Sequence, residues 1–117
     1  MIQTIANAAL AYAKRAMDVA GPDYHVLDTY GLILMAKKDL AGAEKAFEEA
    51  LKIEAGDLRI YVHKAALLYE KRETMLASEL VRWIANDAET LPKEDFEIFN
   101  DLYSRLFKER YVQKKSR

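Results

Sequence analysis

His25 and His63 are the only histidines in the chain, and cysteine is absent, so an imidazole metal site or an imidazole proton shuttle would have to begin with them. His25 and Asp28 lie three residues apart and share a face if the segment is helical. The carboxylate could orient the imidazole, or the two could form half of a metal site. Neither histidine has a second histidine or a cysteine at ligand spacing, so the pair reads as a surface pair on a helix. The lack of cysteine also removes disulfide staples and a thiol nucleophile, while leaving open whether the compartment is cytoplasmic or periplasmic. Gly21, Gly31, Gly42 and Gly56 are scattered one per segment, so no phosphate-cradling loop is present. The expectation is a protein without catalytic residues, metal or cofactor.

Charge is balanced overall but not along the chain. Eighteen basic residues face 19 acidic ones, for a net charge of -1. Lys108, Arg110, Lys114, Lys115 and Arg117 stand against Glu109 alone at the end of the chain. A basic tail can touch nucleic acid or an acidic membrane. Here it complements the dipole of a preceding helix, and no second basic patch or interleaved aromatics argue for nucleic acid. No window approaches the roughly 18 apolar residues of a membrane span. The apolar start, Ile2 to Tyr12, lacks a basic leader and is broken by Gln3, Thr4 and Asn7, which argues against a signal peptide.

The elements that would position any site are helices. Turn signals fall at Gly21-Pro22-Asp23, Lys38-Asp39, Gly56-Asp57, Arg72-Glu73-Thr74 and Thr90-Leu91-Pro92. Asp39, Asp57 and Thr74 are suited to accept bonds from the free amides that open a helix. Both prolines fall at boundaries. The division predicts six antiparallel helices: Ile2 to Ala20, Tyr24 to Ala36, Leu40 to Glu54, Leu58 to Lys71, Met75 to Ala88 and Lys93 to Val112. With 117 residues, 51% of them hydrophobic, the chain can bury a continuous core as one all-α domain.

Within this pattern Tyr30-Gly31-Leu32-Ile33-Leu34 and Ala43-Glu44-Lys45-Ala46-Phe47-Glu48-Glu49-Ala50 stand out. Ala43, Phe47 and Ala50 recur at four and three residues, and Leu27, Tyr30, Gly31 and Leu34 at three, four and seven, so each set forms one helical stripe. Glycine weakens a helix interior by roughly 1 kcal/mol relative to alanine. Gly31 therefore predicts a tight approach of a partner helix.

These residues resemble the tetratricopeptide repeat, whose signature spans 34 residues with W-x2-L-G-x2-Y, then A-x3-F and a late proline. Tyr24 to Asp57 is similar to one whole repeat. Leu27 stands in the tryptophan place, Tyr30-Gly31 in the Leu-Gly place and Leu34 in the tyrosine place. Ala43, Phe47 and Ala50 match the second helix, and Ala55 replaces the proline. One period on, Tyr61, Ala65, Leu68, Ala77, Val81 and Ile84 take the corresponding places. One period back, Ala9, Ala13 and Ala16 do so, with Pro22 near the proline place. The resemblance divides the chain into a half repeat or capping helix (1–23), a repeat (24–57), a degenerate repeat (58–91), and a C-terminal helix with basic tail (92–117). It implies a right-handed solenoid, and a chain that opens within a repeat is expected to be either a piece of a longer protein or a short protein whose first helix acts as a cap. Leu27-Asp28-Thr29-Tyr30-Gly31 is also similar to a variant frequent in bacterial repeat proteins, including components of envelope assembly and export.

The resemblance implies a function as well: a scaffold that holds a partner peptide or helix in a concave groove lined by first helices. Carried over place by place, the lining is His25, Asp28, Leu32 and Met35, then Arg59, Val62, Ala66 and Tyr69. If the sixth helix is a third first helix, Lys93, Phe96, Asn100 and Tyr103 follow. Such a lining is apolar, with Arg59 and Tyr69 the favoured anchors. It does not match the lysine and asparagine clamp that holds chaperone carboxylates, because Asp28 would repel that group. Phe96, Phe99, Tyr103, Leu106 and Phe107 give the last helix a broad apolar face. Phe107 and Tyr111 exceed what one packing face needs. An exposed aromatic strip there predicts the alternative, a self-associating array or homo-oligomer.

Overall fold

The computed structural model describes residues 2–20, 23–109 and 111–112. Among them are six α-helices, one 3-10 helix and no strand: α1 (Ile2–Ala20), α2 (Tyr24–Ala36), α3 (Leu40–Ile53), α4 (Leu58–Glu70), α5 (Thr74–Ala85), the 3-10 helix (Ala88–Thr90) and α6 (Lys93–Phe107). The chain forms two compact units, Met1–Ile60 and Tyr61–Arg117, and α4 runs through the division. Among the described residues, no helix is long and apolar enough to cross a membrane.

In the first unit α2 lies between α1 and α3, which explains why it is apolar on nearly every side. Leu27, Gly31 and Leu34 are its buried residues, and Ala43, Ala46, Phe47 and Ala50 are those of α3. Gly31 meets Phe47 directly: a β-carbon built on it would lie 2.5 Å from Phe47 Cε1 and 2.8 Å from Cδ1. Phe47 is fully buried, so its ring cannot move aside. The close approach expected from the glycine is thus present, and the ring of the partner helix fills the space a side chain would take. On the opposite flank of α2, the Lys37 ammonium donates to Asn7 of α1.

Sequence chemistry sets the helix starts. Asp23 accepts from the amides of His25 and Val26 and opens α2, and Asp39 accepts from Gly42 and opens α3. Asp57 accepts from Arg59 at the start of α4. Thr74 does not act as the expected cap; α5 begins on it, after Glu73, without a side-chain cap bond.

The turn that ends α2 recurs at the end of α4. Lys38 and Arg72, 34 positions apart, both adopt the left-handed conformation, at φ 70 and 65. Each donates to the carbonyl three residues back (Met35, Tyr69), and the following amide donates five back (Leu34, Leu68). These are the paired bonds of a Schellman turn. Burial repeats at the same interval: Gly31 and Ala65, Leu34 and Leu68, Ala43 and Ala77, Phe47 and Val81, Ala50 and Ile84 are all buried.

The second unit departs from expectation at two helix ends. α5 stops at Ala85 rather than Ala88, because Asn86 and Asp87 tighten the chain onto the carbonyls three back, and the Asn86 amide also donates to the Trp83 carbonyl. The 3-10 helix follows, closed by the Thr90 hydroxyl on the Asp87 carbonyl. α6 stops at Phe107 rather than Val112, since Lys108 is left-handed at φ 57. That turn carries Tyr111 back onto α6. Its ring packs edge-on to Phe99 (centroids 5.0 Å apart), Tyr103 (5.4 Å) and Phe96 (6.0 Å). Its hydroxyl donates to the Ala85 carbonyl and meets Glu89, which fastens the end of α6 to the end of α5. Phe107 stacks on Tyr103 and lies under the Arg82 guanidinium at 4.9 Å. The aromatic strip expected to be exposed in part is half-buried, with Phe96, Tyr103, Phe107 and Tyr111 packed against one another and Arg82.

Gly31→Ala is expected to lower stability by about 1–3 kcal/mol despite the better helix propensity of alanine, because the added methyl overpacks Phe47. Urea unfolding of Gly31→Ala alone and with Phe47→Leu checks this, the shorter side chain recovering part of the loss. A second outcome concerns Tyr111, whose phenol is pushed up from 10.0 to about 12, first by burial and then by Glu89. Folding disfavours its ionised form, so the stability it gives is complete below its ordinary value and is lost as pH rises through about 12. The difference in alkaline absorbance titration between the unaltered chain and Tyr111→Phe should show that late step.

Candidate functional site

The Tyr61–Glu70 stretch of α4 is tied to its neighbours by two aromatic or polar contacts near its start. Tyr61 packs edge-on to Trp83 of α5, with centroids 4.9 Å apart. His63 is buried, and its Nε2 lies 2.9 Å from Asp95 Oδ1 in the first turn of α6. An acid in that turn is favoured by the helix dipole, so Asp95 serves both its own helix and the bond to α4.

Beyond His63 the two helices leave a cleft of about 520 Å³. Ala66, Tyr69 and Glu70 line it from α4, and Glu94, Glu97, Ile98, Asp101, Leu102 and Arg105 line it from α6. The α6 residues recur at three, four, seven, eight and eleven positions, which is one helical face. It lies beside the face that carries Phe99 and Tyr103 into the aromatic cluster. Arg105 closes one end: its Nε donates to Asp101 Oδ2 at 2.8 Å. The Asp101 bond first, and then the Tyr69 phenol, raise the guanidinium above its ordinary value.

In the first unit a smaller, mostly apolar cavity of about 310 Å³ lies between α1 and α2. Ala9, Tyr12 and Ala13 face His25, Val26, Thr29 and Ile33 across it. No group of three or more metal-binding side chains occurs among the described residues.

The residues expected to line one groove have different surroundings. Ala66 and Tyr69 line the cleft of the second unit, and His25 lines the cavity of the first, its ring against Tyr24 at 4.1 Å. Asp28, Leu32 and Met35 are half-buried on α2 and line neither space. Arg59, a favoured anchor, turns back on Asp57 with Nε at 3.0 Å from Oδ1 and Nη2 at 2.7 Å from Oδ2. That fork holds the Asp57 carboxyl below its ordinary value, against a smaller opposing effect of burial. Arg59 thus completes the opening of α4.

Val62 is wholly buried and offers no surface to a ligand. Phe96 and Tyr103 belong to the cluster around Tyr111 and line neither space. Lys93 and Asn100 are exposed. Placing the lining by a fixed period thus selects α6 positions beside the ones that face the cleft. The cleft face had a signal of its own: Glu94, Glu97 and Asp101 at helical spacing with Ile98 and Leu102 among them.

No protein-family model, curated protein or solved structure matches this chain.

Asp95→Ala is expected to cost about 1–3 kcal/mol, because the buried His63 Nε2 loses a hydrogen-bond partner. Asp95→Asn keeps an oxygen in place and should cost less. Urea midpoints for the two variants check the order.

Proposed function

We propose that this chain is a non-catalytic, protein-binding scaffold built of tetratricopeptide-like repeats, and that the cleft between α4 and α6 holds a segment of a partner protein. The observation that carries the reading is the recurrence at 34 residues. The left-handed turns at Lys38 and Arg72 share the same pair of bonds, and the buried small and large residues repeat at that interval. A 34-residue helical hairpin unit of this kind serves to stack helices and present a concave surface. The cleft supplies a concave surface with exposed polar and apolar side chains side by side.

A second reading, self-association, draws on a different surface from the aromatic strip first expected. Met75, Leu76 and Trp83 on α5 are 76%, 51% and 53% exposed. Large apolar side chains gathered on one helix face are common at interfaces between proteins. A second copy of the chain is one candidate to cover them. Light scattering across a range of concentrations separates the readings, since a strict monomer removes this one.

Peptides selected from a random displayed library against the full chain test the first reading. They should compete with one another and weaken by at least about tenfold, or about 1.4 kcal/mol, on Ala66→Trp, which fills the cleft. Glu48→Ala, on the exposed side of α3, should leave them unchanged. Selected peptides indifferent to Ala66→Trp would remove the cleft as the binding site.

A further inference from the structure

We propose that the segment held in this cleft is a lysine- or arginine-rich amphipathic stretch of a partner protein, an inference that rests on the cleft being the binding site. Its floor is apolar, with Ala66, Ile98 and Leu102 from facing helices. Its walls carry carboxylates: Glu94 and Glu97 on α6 and Glu70 on α4. A basic amphipathic segment matches both features. Its apolar side chains and the methylene stems of its lysines or arginines cover the floor, while the cationic heads reach the walls.

Helix dipoles explain only part of this charge. Glu94 lies in the first turn of α6, where the dipole favours an acid, but Glu97 lies beyond it. Glu70 is the last residue of α4, the end at which the dipole disfavours an acid. Glu94 and Glu97 are three apart on one face and repel each other. The side chains of both are without an ion pair or hydrogen bond among the described residues. The cleft's one cation, Arg105, is bonded to Asp101. Four carboxylates against one guanidinium leave the lining with a net charge of minus three. A field of that sign attracts cationic segments and repels nucleic acid and acidic peptides.

Three labelled peptides of about 12 residues test the proposal by fluorescence anisotropy against the full chain. That length matches the roughly 17 Å of helix between Glu94 and Arg105 at 1.5 Å per residue. One peptide is built of leucine, alanine and lysine, and in the other two glutamate or glutamine replaces lysine. The lysine peptide should bind at least about tenfold tighter than the glutamate peptide and weaken as salt is raised. Glu94→Gln with Glu97→Gln, both exposed positions, should cost it about tenfold while leaving the glutamine peptide unchanged.

Equal binding of the lysine peptide by the double variant overturns the proposal. So does full displacement by spermidine at matched charge, which would assign the cleft to small polyamines. Tighter peptide binding by a chain ended after Val112 also overturns it, assigning the cleft to the chain's own Lys114, Lys115 and Arg117. If the glutamine peptide binds as well as the lysine one and both are lost on Ala66→Trp, the cleft stands as the binding site and only the charge assignment falls. If no peptide responds to Ala66→Trp, both fall.

Discussion

The contact between Gly31 and the ring of Phe47 constrains the first unit more than any other. With a hydrogen in place of a side chain, α2 lets the Phe47 ring lie against its backbone, and the fully buried ring fixes where the two helices cross. The alanines at 43, 46 and 50 extend the same close approach along α3. The crossing also sets what the connecting turn must do. Only Lys37, Lys38 and Asp39 join the two helices, so the chain must reverse at once. It does so through a left-handed Lys38, although glycine would take that conformation without strain. The helix carbonyls satisfied by the two turn amides, together with the Asp39 cap, offset the strain. Arg72 repeats the solution with another long cationic residue near a helix C-terminus, where positive charge is favourable.

Where the same place recurs in the second unit, the packing answer changes with the neighbour. Ala65 stands 34 positions after Gly31, and the smaller Val81 stands where Phe47 was, a coupled exchange of volume. A further 34 positions on, the place belongs to Phe99, a large ring. No helix follows α6 among the described residues, and Tyr111 packs against Phe99 instead. Glycine sits where a whole helix packs closely, and the large ring sits where a single side chain returns to it. Arg82 over Phe107 and the Tyr111 hydroxyl on Ala85 then hold the end of α6 against α5.

Local chemistry in the sequence foretold most of the helix framework. The starts at Tyr24, Leu40 and Leu58 follow from aspartates that cap the next turn, and Gly31 announced a close contact across a helix pair. What escaped depended on distant partners. Periodicity marks Phe96, Phe99 and Tyr103 as one apolar stripe, but nothing local says that Tyr111 will return to cover it. The side chain of Arg59 looks like an exposed anchor until Asp57, two residues before it, is seen to hold both prongs of its fork. Val62 was expected to face a ligand, yet burial on α4 is decided by which neighbours surround that helix, and it lies inside.

The same logic explains why the cleft chemistry differs from that expected of it. An α-helix such as α6 cannot present every side at once. Because Phe99 and Leu102 are buried and Phe96 and Tyr103 belong to the aromatic cluster, its large aromatics are committed to holding the helix. The neighbouring face, from Glu94 to Arg105, is left to face α4, which the His63 bond to Asp95 ties to the start of α6. The charge of the cleft falls to acidic positions on the neighbouring face: the α6 dipole favours Glu94, Asp101 pairs with Arg105, and Glu97 does neither.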